Sequence, residues 1–301
     1  MMNGIELCQY FMLTGVDSCN HISCMASSDR FWVSDVCQSL TLTNTAGFVL
    51  HRVADLCIDS YGAHTLNSEN ELIYIDSNYN IKKVSKDIET TTKFLEISHL
   101  ARQATCVYWS PSTGDLLIGT YIRKLDIGHV MRYNKSGRLT QIAQLHNREL
   151  KVCGQPNFIA ENTNGDIVVS NYTNFTTGAV VAKDRSGKHR FYYTGTKSEF
   201  RPRGICTDAL SHILVCDDAT RSIHMLHRDR KLITRILEGS EISQCSLSYN
   251  SNTHQLWVGL ENNELYAFRY INRTDVLTDE HSSSCLYCSG IRIHFTPAIW
   301  I

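Results

Sequence analysis

An apolar stretch that ends in a small or acidic residue recurs six times along the chain, and this repeat constrains the fold more than any other feature. The copies end at residues 35, 76, 120, 171, 217 and 260, so they lie 41 to 51 residues apart. The clearest copy, Ile213 to Asp217, begins with four apolar residues in a row, a pattern typical of a strand that is covered on both faces. One unit cannot cover both of its own faces, so neighbouring units must do it.

Each copy belongs to a longer unit that predicts four strands. A short strand comes before the apolar one, as Ile205 to Thr207 does, and a hairpin-like pair follows, most clearly Val130 to Tyr133 and Leu139 to Ile142. Four strands with their turns need about 40 to 50 residues, which matches the spacing. We therefore predict an all-β fold, a six-bladed β-propeller with four-stranded antiparallel blades.

The repeat divides the chain into three parts. The propeller is expected to occupy residues 21–271, but its sixth blade lacks a fourth strand. Residues 1–20 contain the strand-like Leu7 to Leu13, which we expect to complete that blade and close the ring. Residues 272–301 form a tail whose single Cys285-Leu286-Tyr287-Cys288 lacks the second pair that a zinc site needs.

Cysteine use and the N-terminus favour a cytoplasmic location. The chain has 12 cysteines, but several of them, such as Cys106 and Cys216, stand within apolar strands, where a free thiol acts as a small hydrophobic side chain. The first residues lack the basic segment of a signal peptide. We expect a reducing compartment, a monomer and no membrane contact.

Charge is nearly balanced overall but unevenly spread. A net charge of -1 argues against a general binder of polyanions, and we expect no DNA partner. Residues 1–80 hold two basic and nine acidic side chains, whereas residues 183–235 hold twelve basic and six acidic ones. This asymmetry fits ordinary surface variation or a functional basic sector.

Several sequence segments of the repeat resemble the NHL-repeat propellers of tripartite-motif (TRIM) proteins. They are Pro202-Arg203-Gly204-Ile205 leading to Val215-Cys216-Asp217, and Gln155-Pro156-Asn157-Phe158-Ile159 leading to Val168-Val169-Ser170. A longer segment resembles the TRIM-like NHL proteins of bivalve molluscs: Ser110-Pro111-Ser112-Thr113-Gly114-Asp115-Leu116-Leu117. The resemblance implies a platform that recognises protein or RNA stem-loops, often within a ubiquitin ligase that carries RING and B-box modules.

That resemblance leads to the expected function, a non-catalytic platform that binds a protein partner or structured RNA and needs no cofactor. No paired Cys/His zinc spacing precedes the propeller, so we expect no ligase activity and no enzyme. The alternative is a calcium-dependent lactonase or esterase, as some six-bladed propellers are. Its candidate ligands along the axis are Glu161, Asn171 and Asp217.

The candidate binding residues come from loops that share one face of the disc, those before each first strand and those after each second strand. They are Arg102, Arg123, Lys124, Lys151, Tyr172, Arg201, Arg203 and Arg221, most of them in blades three to five. Cations beside a tyrosine suit phosphate backbones or an acidic peptide, although solvated loop charges give the same pattern. The chain has no Gly-rich phosphate loop, no Gly-x-Ser-x-Gly and no His-Glu-x-x-His, so we expect no catalytic residues.

Overall fold

The computed structural model describes residues 5–25, 29–57, 61–97, 102–145, 154–172, 177–196, 199–238 and 243–270. These residues form 24 strands and no helix, arranged in six four-stranded antiparallel sheets. The predicted six-bladed β-propeller is therefore confirmed. The described residues also contain no helix long and apolar enough to cross a membrane.

The strands are numbered in chain order. The first of them, β1 (Glu6–Met12), belongs to blade 6. Blade 1 contains β2 (His21–Cys24), β3 (Arg30–Ser34), β4 (Leu40–Asn44) and β5 (Val49–Val53). Blade 2 contains β6 (His64–Leu66), β7 (Leu72–Ile75), β8 (Ile81–Val84) and β9 (Thr91–Leu95). Blade 3 contains β10 (Gln103–Trp109), β11 (Leu116–Ile122), β12 (Ile127–Tyr133) and β13 (Leu139–Gln144).

The remaining blades follow the same order. Blade 4 contains β14 (Gln155–Glu161), β15 (Ile167–Tyr172), β16 (Gly178–Lys183) and β17 (His189–Tyr193). Blade 5 contains β18 (Pro202–Thr207), β19 (Ile213–Asp217), β20 (Ser222–Leu226) and β21 (Leu232–Ile236). Blade 6 contains β22 (Gln244–Asn250), β23 (Gln255–Leu260) and β24 (Glu264–Arg269), with β1 as its outer strand.

The ring closes where the two ends of the described chain meet. The segment expected to close it, Leu7 to Leu13, lies mostly within β1, which pairs antiparallel with β24 from Glu6 opposite Arg269 to Met12 opposite Glu264. Phe11 of β1 packs on Trp257 of blade 6 at 5.8 Å and on Phe31 of blade 1 at 6.3 Å between ring centroids. One strand thus completes blade 6 and holds it against blade 1.

The core lies between adjacent blades, and the apolar second strands supply much of it. In β19, Leu214 and Cys216 belong to the apolar cluster shared with blade 6, whereas Ile213 and Val215 belong to the cluster shared with blade 4. All four side chains are at most 1% exposed. The unbroken apolar run is explained by this two-sided burial, because successive side chains of a strand point to opposite faces.

The first strand of each blade lines the propeller axis. Each of these strands (β2, β6, β10, β14, β18 and β22) packs against the first strands of the two neighbouring blades, so the six form an inner ring. They run in the same direction, since every blade starts with its innermost strand. Residues that begin these strands therefore lie towards one face of the disc, and residues that end them lie towards the other.

Candidate functional site

A cavity of about 640 Å³ occupies the centre of the inner ring, and we call it the central channel. All six first strands contribute to it, together with the turns that follow three of them. Its lining residues are 21–24, 62, 64–68, 70, 107–109, 111, 158–160, 205–207, 247–249 and 252. A volume of this size is typical of small-molecule sites.

Three aromatic rings meet at the end where the strands begin, and we call them the ring plug: His21, His64 and Phe158. The centroid of the His21 ring lies 4.2 Å from that of His64 and 5.3 Å from that of Phe158. Blades 1 and 4 stand opposite each other in the ring of six, so His21 and Phe158 touch across the axis. The plug therefore blocks this end of the central channel.

Gly62 brings the backbone of blade 2 to the same level. Its N–H donates to the Asn157 carbonyl of blade 4 at 2.9 Å, and its own carbonyl accepts from the Val107 N–H of blade 3 at 2.8 Å. A Cβ at this position would lie 2.5 Å from the Asn157 oxygen, so only glycine permits the contact. Blades 2, 3 and 4 are thereby tied together beside the plug.

The other end of the central channel reaches the surface. Its lining there comes from the turns after β6, β10 and β22, where Ser68, Pro111 and Asn252 are exposed. These turns lie on the face where the first strands end. Within the described residues, the channel is thus closed at one face and open at the other.

The two histidines of the plug are neutral at pH 7. Burial lowers the pKa of His21 to about 3, and burial followed by the neighbouring His21 lowers the pKa of His64 well below its usual value. The Nε2 of His64 lies 3.3 Å from the Trp32 carbonyl oxygen, which can only accept, so Nε2 carries the hydrogen and Nδ1 a lone pair. In the described part of the chain, the Nδ1 atoms of both rings are buried without a hydrogen-bond partner.

The other ionisable groups of the channel wall are held neutral as well. Burial raises the pKa of the Cys24 thiol to about 12 and raises that of Cys206 well above its usual value. The phenol pKa values of Tyr108 and Tyr249 are also raised, mainly by burial. Among the described residues, no Asp, Glu, Lys or Arg lines the central channel.

The basic residues proposed from the sequence lie on the closed face. Arg102 precedes β10, Arg123 and Lys124 follow β11, Arg201 and Arg203 lie at the start of β18, Arg221 follows β19, and Tyr172 ends β15. Lys151 lies outside the described residues. The described members share a face, as expected, but none of them lines the central channel.

Two of these arginines have acidic partners close by. The Nη1 of Arg201 lies 3.1 Å from Asp218 Oδ2, and the Nη1 of Arg203 lies 2.8 Å from Glu261 Oε1. The guanidinium of Arg203 also stands 5.8 Å from the centroid of the Tyr61 ring. Their charges are partly neutralised within the protein, and binding by this set of residues stays a prediction.

The candidate calcium ligands do not form a site. Glu161 pairs with Arg132 at 3.1 Å, and Asp217 accepts from the Arg201 N–H at 2.9 Å and from the Thr220 hydroxyl at 2.6 Å. Neither they nor Asn171 line the central channel. The described residues also hold no group of three or more His, Cys, Asp or Glu placed to bind a metal ion. Calcium needs six to eight oxygen ligands, including carboxylates, so it does not fit the channel.

Comparison with known proteins identifies the fold. No protein-family model matches the chain, and no curated protein matches it. A gluconolactonase from Xanthomonas campestris is similar in structure, with a TM-score of 0.64, 10% identity and coverage of 90% of this chain and 98% of that one. A catalytically inactive virginiamycin B lyase from Staphylococcus aureus has a TM-score of 0.59, 12% identity and coverage of 89% and 100%.

A third similar structure is regucalcin, a calcium-binding protein from Agrobacterium tumefaciens. Its TM-score is 0.61 at 16% identity, with coverage of 84% of this chain and 85% of that one. At identities this low, the structural similarity shows a shared propeller fold alone, and the activity has to be argued from the site.

These findings correct the expectation of a non-catalytic recognition platform that is not an enzyme. That expectation is wrong, because the structural neighbours are propellers named as a lactonase and a lyase. Motif searches also require residues close in sequence, whereas His21 and His64 come from the first strands of two different blades. The sequence feature that could have identified them is their position at the start of two first strands, β2 and β6.

Proposed function

We propose that the protein is a hydrolase of esters or lactones that binds its substrate in the central channel. The observation that carries this proposal is the pair of neutral histidines, each with an Nδ1 unpaired among the described residues, at the closed end of a cavity of about 640 Å³. A buried polar atom without a hydrogen-bond partner costs about 1–3 kcal/mol, so a ligand that supplies the partner is favoured. Similarity of fold to a gluconolactonase supports the class of reaction.

His21 is the proposed catalytic residue. His21 lines the channel and its imidazole is unprotonated at pH 7, so it offers a lone pair that can take a proton from a water molecule. The water oxygen then bonds to the substrate carbonyl carbon, and the single bond from that carbon to the ester oxygen breaks. The proton passes from His21 to the departing oxygen, which gives an acid and an alcohol, or one hydroxy acid from a lactone.

With a pKa of about 3, His21 is a weak base, so it takes the proton only as the water attacks and does not keep it. An imidazolium in this buried place is unfavourable, so the proton moves on to the much more basic alkoxide and His21 returns to its neutral form. His64 is a positioning residue in this scheme. Its N–H to the Trp32 carbonyl fixes its ring, which in turn packs against His21. No step uses calcium.

The first prediction tests this role of His21. Hydrolysis of a panel of uncharged lactones and esters would be followed by titration of the released acid, with wild-type protein and with His21→Gln. We expect the variant to be about 10²- to 10⁴-fold slower, the usual loss when an acid–base group is removed. His227→Gln, at an exposed turn, serves as the matched control and should keep the wild-type rate. Equal rates for wild type and His21→Gln would refute the proposal.

Membership of the TRIM-like NHL family stays a prediction, because it rests on short sequence segments alone. The cytoplasmic location and monomeric state also stay predictions. The hydrolase proposal depends on none of them.

A further inference from the structure

The central channel differs from an ordinary polar cleft in having no formal charge. Its described lining contains no carboxylate, ammonium or guanidinium group. The two histidines, the two cysteines and the two tyrosines are all in their neutral forms at pH 7, as shown above. A charged ligand would leave water without meeting an opposite charge.

Acidic groups behind the wall have their partners within the protein. The side chain of Glu161 acts on Tyr108, and that of Asp208 acts on Tyr249. Glu161 pairs with Arg132, and Asp208 accepts from the Tyr270 hydroxyl at 3.0 Å. Neither needs a cation from the channel.

Apolar side chains and uncharged polar groups line the channel together. Val107, Phe158, Ile205 and Leu247 lie beside the histidine rings, and Trp109 and Pro111 lie nearer the mouth. Amides and hydroxyls line the wall at positions 67, 68, 70, 248 and 252. A ligand that fits this wall combines an apolar group with uncharged polar atoms.

We propose that the central channel selects an uncharged molecule that carries an aromatic or aliphatic group, and that it rejects the carboxylate of the same shape. The inference rests on the proposed function for the place of the reaction. It concerns binding, however, and can be measured without turnover.

Phenylacetamide and phenylacetate form a matched pair of probes for this selection, since they have nearly the same shape and differ in charge. Isothermal titration at pH 7.5 would measure the Kd of each for the full chain, with acetamide as a probe that lacks the ring. We expect phenylacetamide to bind at least tenfold more tightly than either of the other two. Phenylacetate binding as tightly as phenylacetamide, or no binding of phenylacetamide, would overturn the inference.

A charge placed in the wall should reverse the preference. Ser248 lines the channel beside Cys24, so Ser248→Lys should tighten phenylacetate binding at least tenfold. Asn252→Lys adds the same charge at an exposed turn of the mouth, and it keeps the test open should Ser248→Lys fail to fold. Gln144→Lys, on the outer strand of blade 3, is the matched control and should leave both Kd values unchanged.

The two proposals fail in different ways. If phenylacetamide binds selectively but the lactones and esters are not hydrolysed, the inference stands and the proposed function fails. If hydrolysis depends on His21 while phenylacetate and phenylacetamide bind alike, the proposed function stands and the inference fails. An unchanged phenylacetate Kd in both lysine variants would place its site outside the channel and overturn the inference.

Discussion

The fold keeps His21 and His64 in a neutral state that free histidine loses below about pH 6.5. Burial lowers the pKa of His21, and burial together with the neighbouring His21, whose ring centroid lies 4.2 Å away, lowers the pKa of His64. The same burial that makes His21 available as a proton acceptor therefore makes the folded protein sensitive to acid.

The second prediction follows from this linkage. The pKa of His21 falls from 6.5 in the unfolded chain to about 3 in the folded protein, so between these pH values the unfolded chain binds more protons. The contribution of His21 to the free energy of unfolding is complete above pH 6.5 and declines as the pH falls towards 3. The loss for His21 alone amounts to about 2 kcal/mol between pH 7 and pH 5.

Urea unfolding of wild type and His21→Gln at pH 7 and pH 5 measures this loss. Groups that titrate in both proteins cancel in the comparison, so the variant should lose about 2 kcal/mol less than wild type on acidification. The same pH dependence in both proteins would show that His21 is not held neutral by the fold.

At the scale of strands, one piece of chain determines whether the ring is closed. β1 comes from the start of the described chain and supplies the outer strand of blade 6, and Phe11 anchors it between Trp257 and Phe31. The neighbouring residues of β1 are largely exposed, with Leu7 49% and Met12 59% accessible. The closing segment therefore takes its apolar contacts from Phe11 and from the buried Leu13 just after the strand.

The third prediction compares two phenylalanines on adjacent blades. Phe11→Ala removes the anchor of β1 and should lower the free energy of unfolding by up to about 3 kcal/mol, the lower end of the range for a buried phenylalanine. Phe48→Ala, at a side chain that is 64% exposed, is the matched control and should change it by less than about 0.5 kcal/mol. Thermal or urea unfolding of both variants provides the measurement, and equal losses would contradict this account of ring closure.

The strands were predictable from the sequence to different degrees. Continuous apolar runs such as Ile213 to Cys216 revealed the second strands, because burial on both faces leaves no other composition. The first strand of blade 1, β2, begins at His21, a polar residue that gives no apolar strand signal. A pattern of apolar residues therefore does not mark His21 as part of the channel wall.

At the scale of the whole molecule, the ring plug makes the two faces of the disc unequal. The order of strands alone predicts which loops share a face, and the described basic candidates lie in loops of that face. It cannot show which face is open, because the plug needs rings from blades 1, 2 and 4 and the backbone contacts of Gly62. Those contacts join residues 43 to 137 positions apart and leave no local pattern.

One measurement tests the central claim that binding and hydrolysis share the central channel. Initial rates of hydrolysis of the best uncharged substrate would be determined at increasing concentrations of phenylacetamide. We predict competitive inhibition, in which KM rises and kcat stays constant, with an inhibition constant equal to the Kd from calorimetry. Undiminished hydrolysis at a phenylacetamide concentration that saturates the protein would contradict the account, because it would place the reaction outside the channel.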